Sequence, residues 1–378
     1  MSCAPTFEVL RMFDVQGSPV AWERQGHGHI NETFKVTFEE RVPKGWQTKQ
    51  ARYIFQKLNG AVFGQPEQVM ENIVNVTGHL RRKAEARGQA NLDRSVLTLV
   101  RARDGRPFVY DSDGHLWRCY IFIGGAGSRQ TVEAPDQAYE AAKAYGAFQR
   151  DLIDYDGPCL FETIPRFHDT RSRMEAFHAA LAGDSANRAA SAQDEIAFAL
   201  SREGLKDCLL TLKDQGLLHE RVTHNDTKLN NVLLDFATGE AVCVVDLDTV
   251  MPGLCLYDFG DLVRSAVSQS AEDEKNLSNV AVHFPVFEAI AKGYMEGLGE
   301  ALTEIERDNL VASCKLLSFE CGLRFLTDYL MGDTYFRVKR VSQNLERCRT
   351  QFALLRSLEE NEGQLMDCVT RLWQGVSS

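Results

Sequence analysis

His224, Asp226 and Asn231 stand in the stretch THNDTKLNN (223–231), between the apolar runs LLHERV and VLLDF, and Asp246 follows the next such run, AVCVV. Burying an unpaired polar group costs on the order of 1–3 kcal/mol, so a cluster of this kind implies a complete hydrogen-bond network or a ligand. Two antiparallel strands, VLL and AVCVV, joined by the turn DFATG, would bring Asp226, Asn231 and Asp246 to one end of a hairpin. Phosphoryl transfer asks for that set. One carboxylate accepts or orients the attacking hydroxyl, while an amide oxygen and a second carboxylate hold magnesium against the nucleotide phosphates. The plainer alternative is that Asp226 and Asn231 cap turns and Asp246 ends a strand. His224 reads as a brace, its ring tying the loop to a backbone group, and not as the base.

The elements that must position these residues follow from periodicity. SPVAWERQ, ETFKVTF and ARYIFQKL, within residues 18–58, are strand-like, and a helix opened by Pro66 is expected over 66–82. Further strands are expected at 96–102, 107–111 and 116–123. After GGAGS (124–128) the pattern changes to long amphipathic segments, at 135–153, 172–182, 192–216, 284–299, 303–331 and 341–374, with a loop at 182–192. A short strand-bearing island at 221–262 interrupts the helices. The fold class that results is α+β: a small β-rich N-terminal nucleotide-binding lobe (1–123), a hinge (124–128) and a larger, mainly helical C-terminal lobe (129–378) carrying the hairpin. This is a two-lobed, protein-kinase-like architecture.

Composition excludes other classes. The 378 residues are 44% hydrophobic and 25% charged, enough for a large core, and the formal net charge of −11 argues against nucleic acid as a partner. The longest apolar runs are far below the ~20 residues of a membrane span. The ten cysteines contain no C-x-x-C pair and suit reduced core positions. The first residues have no basic start and do not resemble a secretory signal, so a cytoplasmic location is expected.

VTHNDTKLNNVLLD, VVDLDTVMPGLCLYDFGDLVR, GHGHINETF, FHDT and ECGLRFLTDYLMGDTYF resemble the N-acetylhexosamine 1-kinases, a branch of the aminoglycoside phosphotransferase and choline kinase-like superfamily. The resemblance runs from about residue 20 to about residue 355. It implies ATP- and magnesium-dependent phosphorylation of the anomeric hydroxyl of N-acetylglucosamine or N-acetylgalactosamine. By matching motif, Asp226 would be the catalytic aspartate, and Asn231 and Asp246 the metal pair. His29, Arg324 and Tyr335 match positions that contact the sugar, with Asp226, Asp246 and Thr249 sharing in that site. A glycine-containing turn at Gly26 and Gly28 would lie over nucleotide phosphates or sugar, where backbone N–H groups approach closely with no Cβ between, the plainer alternative being an ordinary hairpin. GGAGS reads as a hinge near the adenine, and Phe122, Ile123 and Asn231 are the further nucleotide-binding candidates. In most kinases of the superfamily a lysine on the third strand pairs the phosphates. Here that stretch is YIFQKL, and either Gln56 or Lys57 faces inward.

Competing motifs fail on context. G-x-G-x-x-N at 26–31 joins two strands and not a strand to a helix, GGAGS lacks the lysine of a phosphate loop, and HERVTH spaces its histidines five apart where a helix needs four. Arg324 and Asp328 stand at the spacing of an intrahelical ion pair. Two further readings fit the same residues: a kinase of this fold for another small hydroxyl acceptor (another hexose, an amino sugar, choline), or a catalytically inactive kinase-fold binding module.

Overall fold

The computed structural model describes residues 4–25, 30–41 and 48–376. The chain divides into two compact units. The first comprises the described residues of Met1–Ala126 together with Tyr155–Ile164 and Cys243–Val250; the second comprises Gly127–Asp154, Pro165–Val242 and Met251 onward. The two later segments of the first unit fall within the range 129–378 that the sequence assigns to the C-terminal lobe. Local periodicity carries no signal of such returns.

In the first unit, helix α1 (Phe7–Met12) is followed by strands β1 (Ser18–Arg24), β2 (Glu32–Arg41) and β3 (Thr48–Lys57). Helices α2 (Pro66–Ala86) and α3 (Leu92–Ser95) then lead to β4 (Leu99–Val100), β5 (Val109–Tyr110) and β6 (Leu116–Ile121). The antiparallel sheet has the order β1-β2-β3-β6-β4, with β5 beside β6. Strand alternation assigns the two faces. Phe34, Val36 and Phe38 of β2, Phe55 of β3 and Trp117 and Cys119 of β6 are buried in one cluster with Val9, Leu10 and Phe13. The opposite face carries the row Thr33–Gln56–Arg118, paired in register across β2, β3 and β6. Helix α2 has Pro66 in its first turn and Glu67 beside it, both favourable there. Its buried Val69, Met70, Ile73 and Val76 form a stripe of helical spacing. Asn72, on the same helix, donates to the carbonyls of Phe161 and Val250 and accepts from the amide of Phe161, which ties both later segments to this unit.

The short strand β7 (Ala126–Gly127) precedes helices α4 (Pro135–Asp151), α5 (Thr170–Gly183), α6 (Gln193–Ser201) and α7 (Leu210–Asp214). Strands β8 (Arg221–Thr223), β9 (Val232–Asp235), β10 (Ala241–Val244) and β11 (Met251–Gly253) follow, then α8 (Cys255–Ala266), α9 (Phe284–Leu298), α10 (Glu304–Asp308), α11 (Leu310–Leu330), α12 (Gln343–Glu360) and α13 (Glu362–Val376). β9 lies between β10 and β7, and β11 pairs with β8. The core of the second unit is built on Phe319, Leu323, Leu326 and Leu330 of α11, against Phe352 and Leu355 of α12 and Phe177 of α5. Helices α4 and α9 cross closely: a Cβ on Gly293 would sit 2.2 Å from the Tyr139 carbonyl oxygen, and one on Gly297 2.3 Å from that of Lys143. Only hydrogen fits there.

Three expected helices are broken. The segment 192–216 forms α6, a 3₁₀ turn and α7; 303–331 splits at Asn309, after a capping box made by Thr303 and Glu306; 341–374 splits at Asn361. Helix α8, inside the strand-bearing island, was not expected, because it is buried on nearly every side and shows no polar stripe. Among the described residues no helix is long and apolar enough to cross a membrane.

Candidate active site

The polar cluster is a loop pinned from beneath. Asp258, in the first turn of α8 and fully buried, accepts from the backbone amides of His224 (3.0 Å) and Asn225 (2.7 Å) and from the side chain of Gln149. Asn225 is thereby held at φ 64°, a left-handed conformation costing roughly 1–2 kcal/mol for a residue with a side chain. The buried ring of His224 lies edge-on to Tyr145 and close to Phe148, and its Nδ1 accepts from the amide of Asp226 at 3.3 Å. His224 is a brace, as its setting in the sequence suggests. Tyr145 donates to the carbonyl of Lys228 (2.7 Å), and the His168 ring bridges the Asn225 carbonyl (2.9 Å) to Glu320 (2.8 Å).

This scaffold presents Asp226. Its Oδ1 pairs with the Lys228 ammonium at 2.7 Å, and its carbonyl and Oδ2 accept from the side-chain amide of Asn231 at 2.9 and 3.3 Å. Burial alone would raise the Asp226 pKa, but Lys228 outweighs it and holds the carboxyl below its ordinary value. Asp226 is therefore ionised at neutral pH. Asn231 immediately precedes β9, and having spent its NH₂ on Asp226 it keeps its oxygen for another partner.

Also in the second unit, Arg324 lies with its guanidinium over the rings of Phe167 (5.1 Å) and Phe336 (5.5 Å). The intrahelical partner that its spacing suggested is engaged elsewhere. Asp328 accepts from the backbone amides of Thr334 (2.8 Å), Tyr335 (2.8 Å) and Phe336 (2.9 Å) and from the side chain of Asn344. Tyr335, more than half exposed, stands edge-on to Phe336, so Arg324 and Tyr335 share one aromatic corner.

In the first unit, Gln56 faces away from the apolar cluster. Its amide donates to Thr33 (2.9 Å) and its oxygen accepts from Arg118 Nε (3.0 Å). Lys57 points to the other face, 3.9 Å from Glu32. Glu71 on α2 is solvent-exposed. Phe122 has Arg52 (5.0 Å) and Lys35 (5.3 Å) over its ring, and Ile123 is buried beside it. Asp246, just past β10, adopts φ 61°, ψ 56°, and opens a 3₁₀ turn that buries Asp248 and Thr249. Asp248 accepts from Arg118 and Asn31, and its carbonyl from Thr163 (2.8 Å). Gly26, Gly28 and His29 lie outside the described residues.

A profile of the phosphotransferase enzyme family matches residues 22–302. The chain belongs to this family. Solved structures with the same fold include a microcompartment-associated aminopropanol kinase (18% identity, 94% of this chain and 97% of that one, TM-score 0.56). A choline kinase from Cryptosporidium parvum Iowa II is 13% identical over 94% of this chain and 91% of its own, with TM-score 0.55. An amicoumacin kinase in complex with AMP-PNP and Ca2+ is 15% identical over 92% and 91%, with TM-score 0.53. Mixed α+β, protein-kinase-like architecture is common to all of them.

Four residues that hold or neighbour the candidate side chains escaped the sequence reading: Lys228 and Asp258 in the second unit, Arg118 and Asp248 in the first. Lys228 lies inside the quoted motif, two residues beyond the candidate base, and was legible as a cation near it. Asp258 sits in a helix with no polar face. Arg118 and Asp248 are 130 residues apart, and nothing local marks them as partners.

Proposed function

We propose that this phosphotransferase transfers the γ-phosphoryl group of ATP to the anomeric hydroxyl of an N-acetylhexosamine, N-acetylglucosamine or N-acetylgalactosamine. The observation that carries the acceptor assignment is the setting of Arg324. Its guanidinium rests on two aromatic faces with its helical neighbour Asp328 committed to the 334–336 backbone, so its fork of donors is kept for a polar ligand. Aromatic faces beside fixed donors suit a sugar ring and its N-acetyl carbonyl.

In this reading Asp226 is the catalytic residue. Its carboxylate accepts a hydrogen bond from the sugar O1 hydroxyl, orients it and takes its proton as the phosphoryl group moves. The transition state of such transfers is loose, so alignment and charge neutralisation contribute more than base strength. Lys228 keeps Asp226 ionised and fixes one of its oxygens. The donor set fits a hard divalent cation: Asn231 retains an amide oxygen, and the left-handed turn at Asp246 sets a carboxylate directly after a strand. Asn231 and Asp246 are accordingly assigned to magnesium, which when bound would neutralise charge on the phosphates. Gln56, Phe122 and Ile123, with Gly26 and Gly28, are assigned to ATP, and His29, Thr249, Arg324 and Tyr335 to the sugar.

The deciding experiment is incubation of the purified protein with ATP, magnesium and a mixture of hexoses, followed by NMR of the phosphorylated product. A 1-phosphate on an N-acetylated sugar is expected. A 6-phosphate, or phosphorylation of a sugar lacking the N-acetyl group in preference, overturns the assignment.

A further inference from the structure

Within YIFQKL the third strand of this enzyme presents no cation on the open face of the sheet, and Arg52, four residues before Gln56 on that face, lies over the Phe122 ring at 5.0 Å. Gln56, the residue of YIFQKL on the open face of the sheet, is neutral, and both ends of its amide are engaged, by Thr33 and by Arg118. Lys57 is turned to the opposite face, towards Glu32. A family that moves phosphoryl groups nevertheless needs positive charge beside the nucleotide.

Arg118 occupies the register position next to Gln56 on the neighbouring strand β6, on the same face. It is only 1% exposed, which is rare for an arginine and costly unless its donors are used. Gln56 takes its Nε and Asp248 its Nη1. Among the described residues no protein acceptor takes Nη2. Burial opposes the charge, but Asp248 outweighs burial and keeps Arg118 protonated, and Asp246 adds to the same field. The guanidinium is thus a fixed cation, oriented at two nitrogens, with a third donor nitrogen unspent, within electrostatic reach of the residue assigned to magnesium.

We propose that Arg118 is the nucleotide-phosphate cation of this enzyme, supplying from β6 the charge that a third-strand lysine supplies in most kinases of the superfamily, with Gln56 and Asp248 as its positioning residues. The ligand class is a nucleoside di- or triphosphate. Arginine suits the task because its planar fork can meet phosphate oxygens with a parallel pair of hydrogen bonds and it does not lose its charge.

The test uses the full chain without any sugar, so it stands whichever acceptor the enzyme takes. Calorimetric titration of wild type and Arg118→Met with AMP-PNP plus magnesium, and separately with adenosine, isolates the phosphate contribution. Arg118→Met is expected to weaken AMP-PNP about tenfold or more, the scale of one charge-assisted hydrogen bond, and to leave adenosine within about twofold. Gln56→Lys added to Arg118→Met should restore part of the loss, by returning a cation to β3. Should Arg118→Met fail to fold, Arg118→Lys keeps the charge opposite Asp248 but removes the spare nitrogen, and should still lower the ratio of AMP-PNP to adenosine affinity. An unchanged ratio in a folded variant, or an equal loss for both ligands, refutes the assignment.

Discussion

Asp258 Oδ1 accepts the backbone amide of Asn225 at 2.7 Å and fixes that residue in a left-handed turn, one residue before Asp226. The carboxylate spends its second oxygen on His224 and Gln149, so the loop backbone is set by a residue that never meets substrate. Asp258→Asn replaces one acceptor oxygen by a donor group facing N–H groups. The expected cost is about 1–3 kcal/mol of stability, the penalty of an unsatisfied buried donor, together with a fall in kcat larger than any change in KM. Urea denaturation and steady-state kinetics on the same preparation check both. A variant as stable and active as wild type would show that the loop does not depend on this anchor.

Lys228 separates stability from catalysis. Its pair with Asp226 is only partly buried, with side-chain exposures of 44% and 22%, so Lys228→Met should change folding stability by no more than about 1 kcal/mol. The same change frees an oxygen of the proposed base and removes the nearest cation, and turnover should fall at least about tenfold, in keeping with the 10²–10⁴-fold that a positioned acid–base group contributes. Asp226→Asn should lower turnover by the upper part of that range while leaving nucleotide binding nearly intact. Wild-type kcat in Asp226→Asn would remove Asp226 from the role of base, and wild-type kcat in Lys228→Met would remove Lys228 from positioning it.

The aromatic corner around Arg324, proposed to hold the acceptor, gives a binding prediction. Arg324→Met keeps the aliphatic stem against Phe167 and Phe336 and deletes the donors. KM for the proposed N-acetylhexosamine acceptor should rise about tenfold or more, as expected for losing hydrogen bonds from a charged group, with KM for ATP unchanged. Asp328→Asn should produce a weaker version of the same pattern, because it loosens the 334–336 backbone carrying Tyr335 and leaves Arg324 itself in place. Equal rises in both KM values would argue against a sugar-specific role.

These cases show what the sequence makes legible. THNDTKLNN and the aspartate after AVCVV stand out because polar residues interrupt apolar runs. The alternation of β2, β3 and β6 is equally plain, since one face of each strand is aromatic or β-branched. What stays hidden is long-range pairing. Arg118 with Asp248, and His168 with Glu320, are joined only by the fold, and each partner alone reads as an ordinary surface charge. The Arg324–Asp328 spacing misleads for the complementary reason: the helix permits that pair, but three backbone amides offer Asp328 more than one guanidinium does. Whether Gln56 or Lys57 lies on the open face of the sheet is a matter of phase in one strand, and the burial of Phe55 fixes the parity.

His168 supplies a pH dependence whose sign can be worked out. Burial disfavours its charged form, but Glu320 at 2.8 Å outweighs burial, and the Asn225 carbonyl and Asp261 add to it, so the folded pKa lies above the ordinary 6.5. For Glu320 burial is again the largest influence, opposed and exceeded by His168 and Thr170, which leaves its pKa lowered. A raised histidine stabilises the fold fully below its unfolded pKa and loses that contribution as pH rises through the folded value; a lowered carboxyl contributes above its unfolded pKa and loses it in acid. The pair therefore stabilises most between roughly pH 5 and 6.5, on the reference values of the two groups. Urea midpoints of wild type and His168→Gln, measured from pH 5 to 9, should differ most at the acid end of that range and converge as His168 loses its proton. A gap that widens towards pH 9 would mean that the ring is neutral in the folded protein and that it supports the Asn225 carbonyl as a simple donor, with no ion pair behind it.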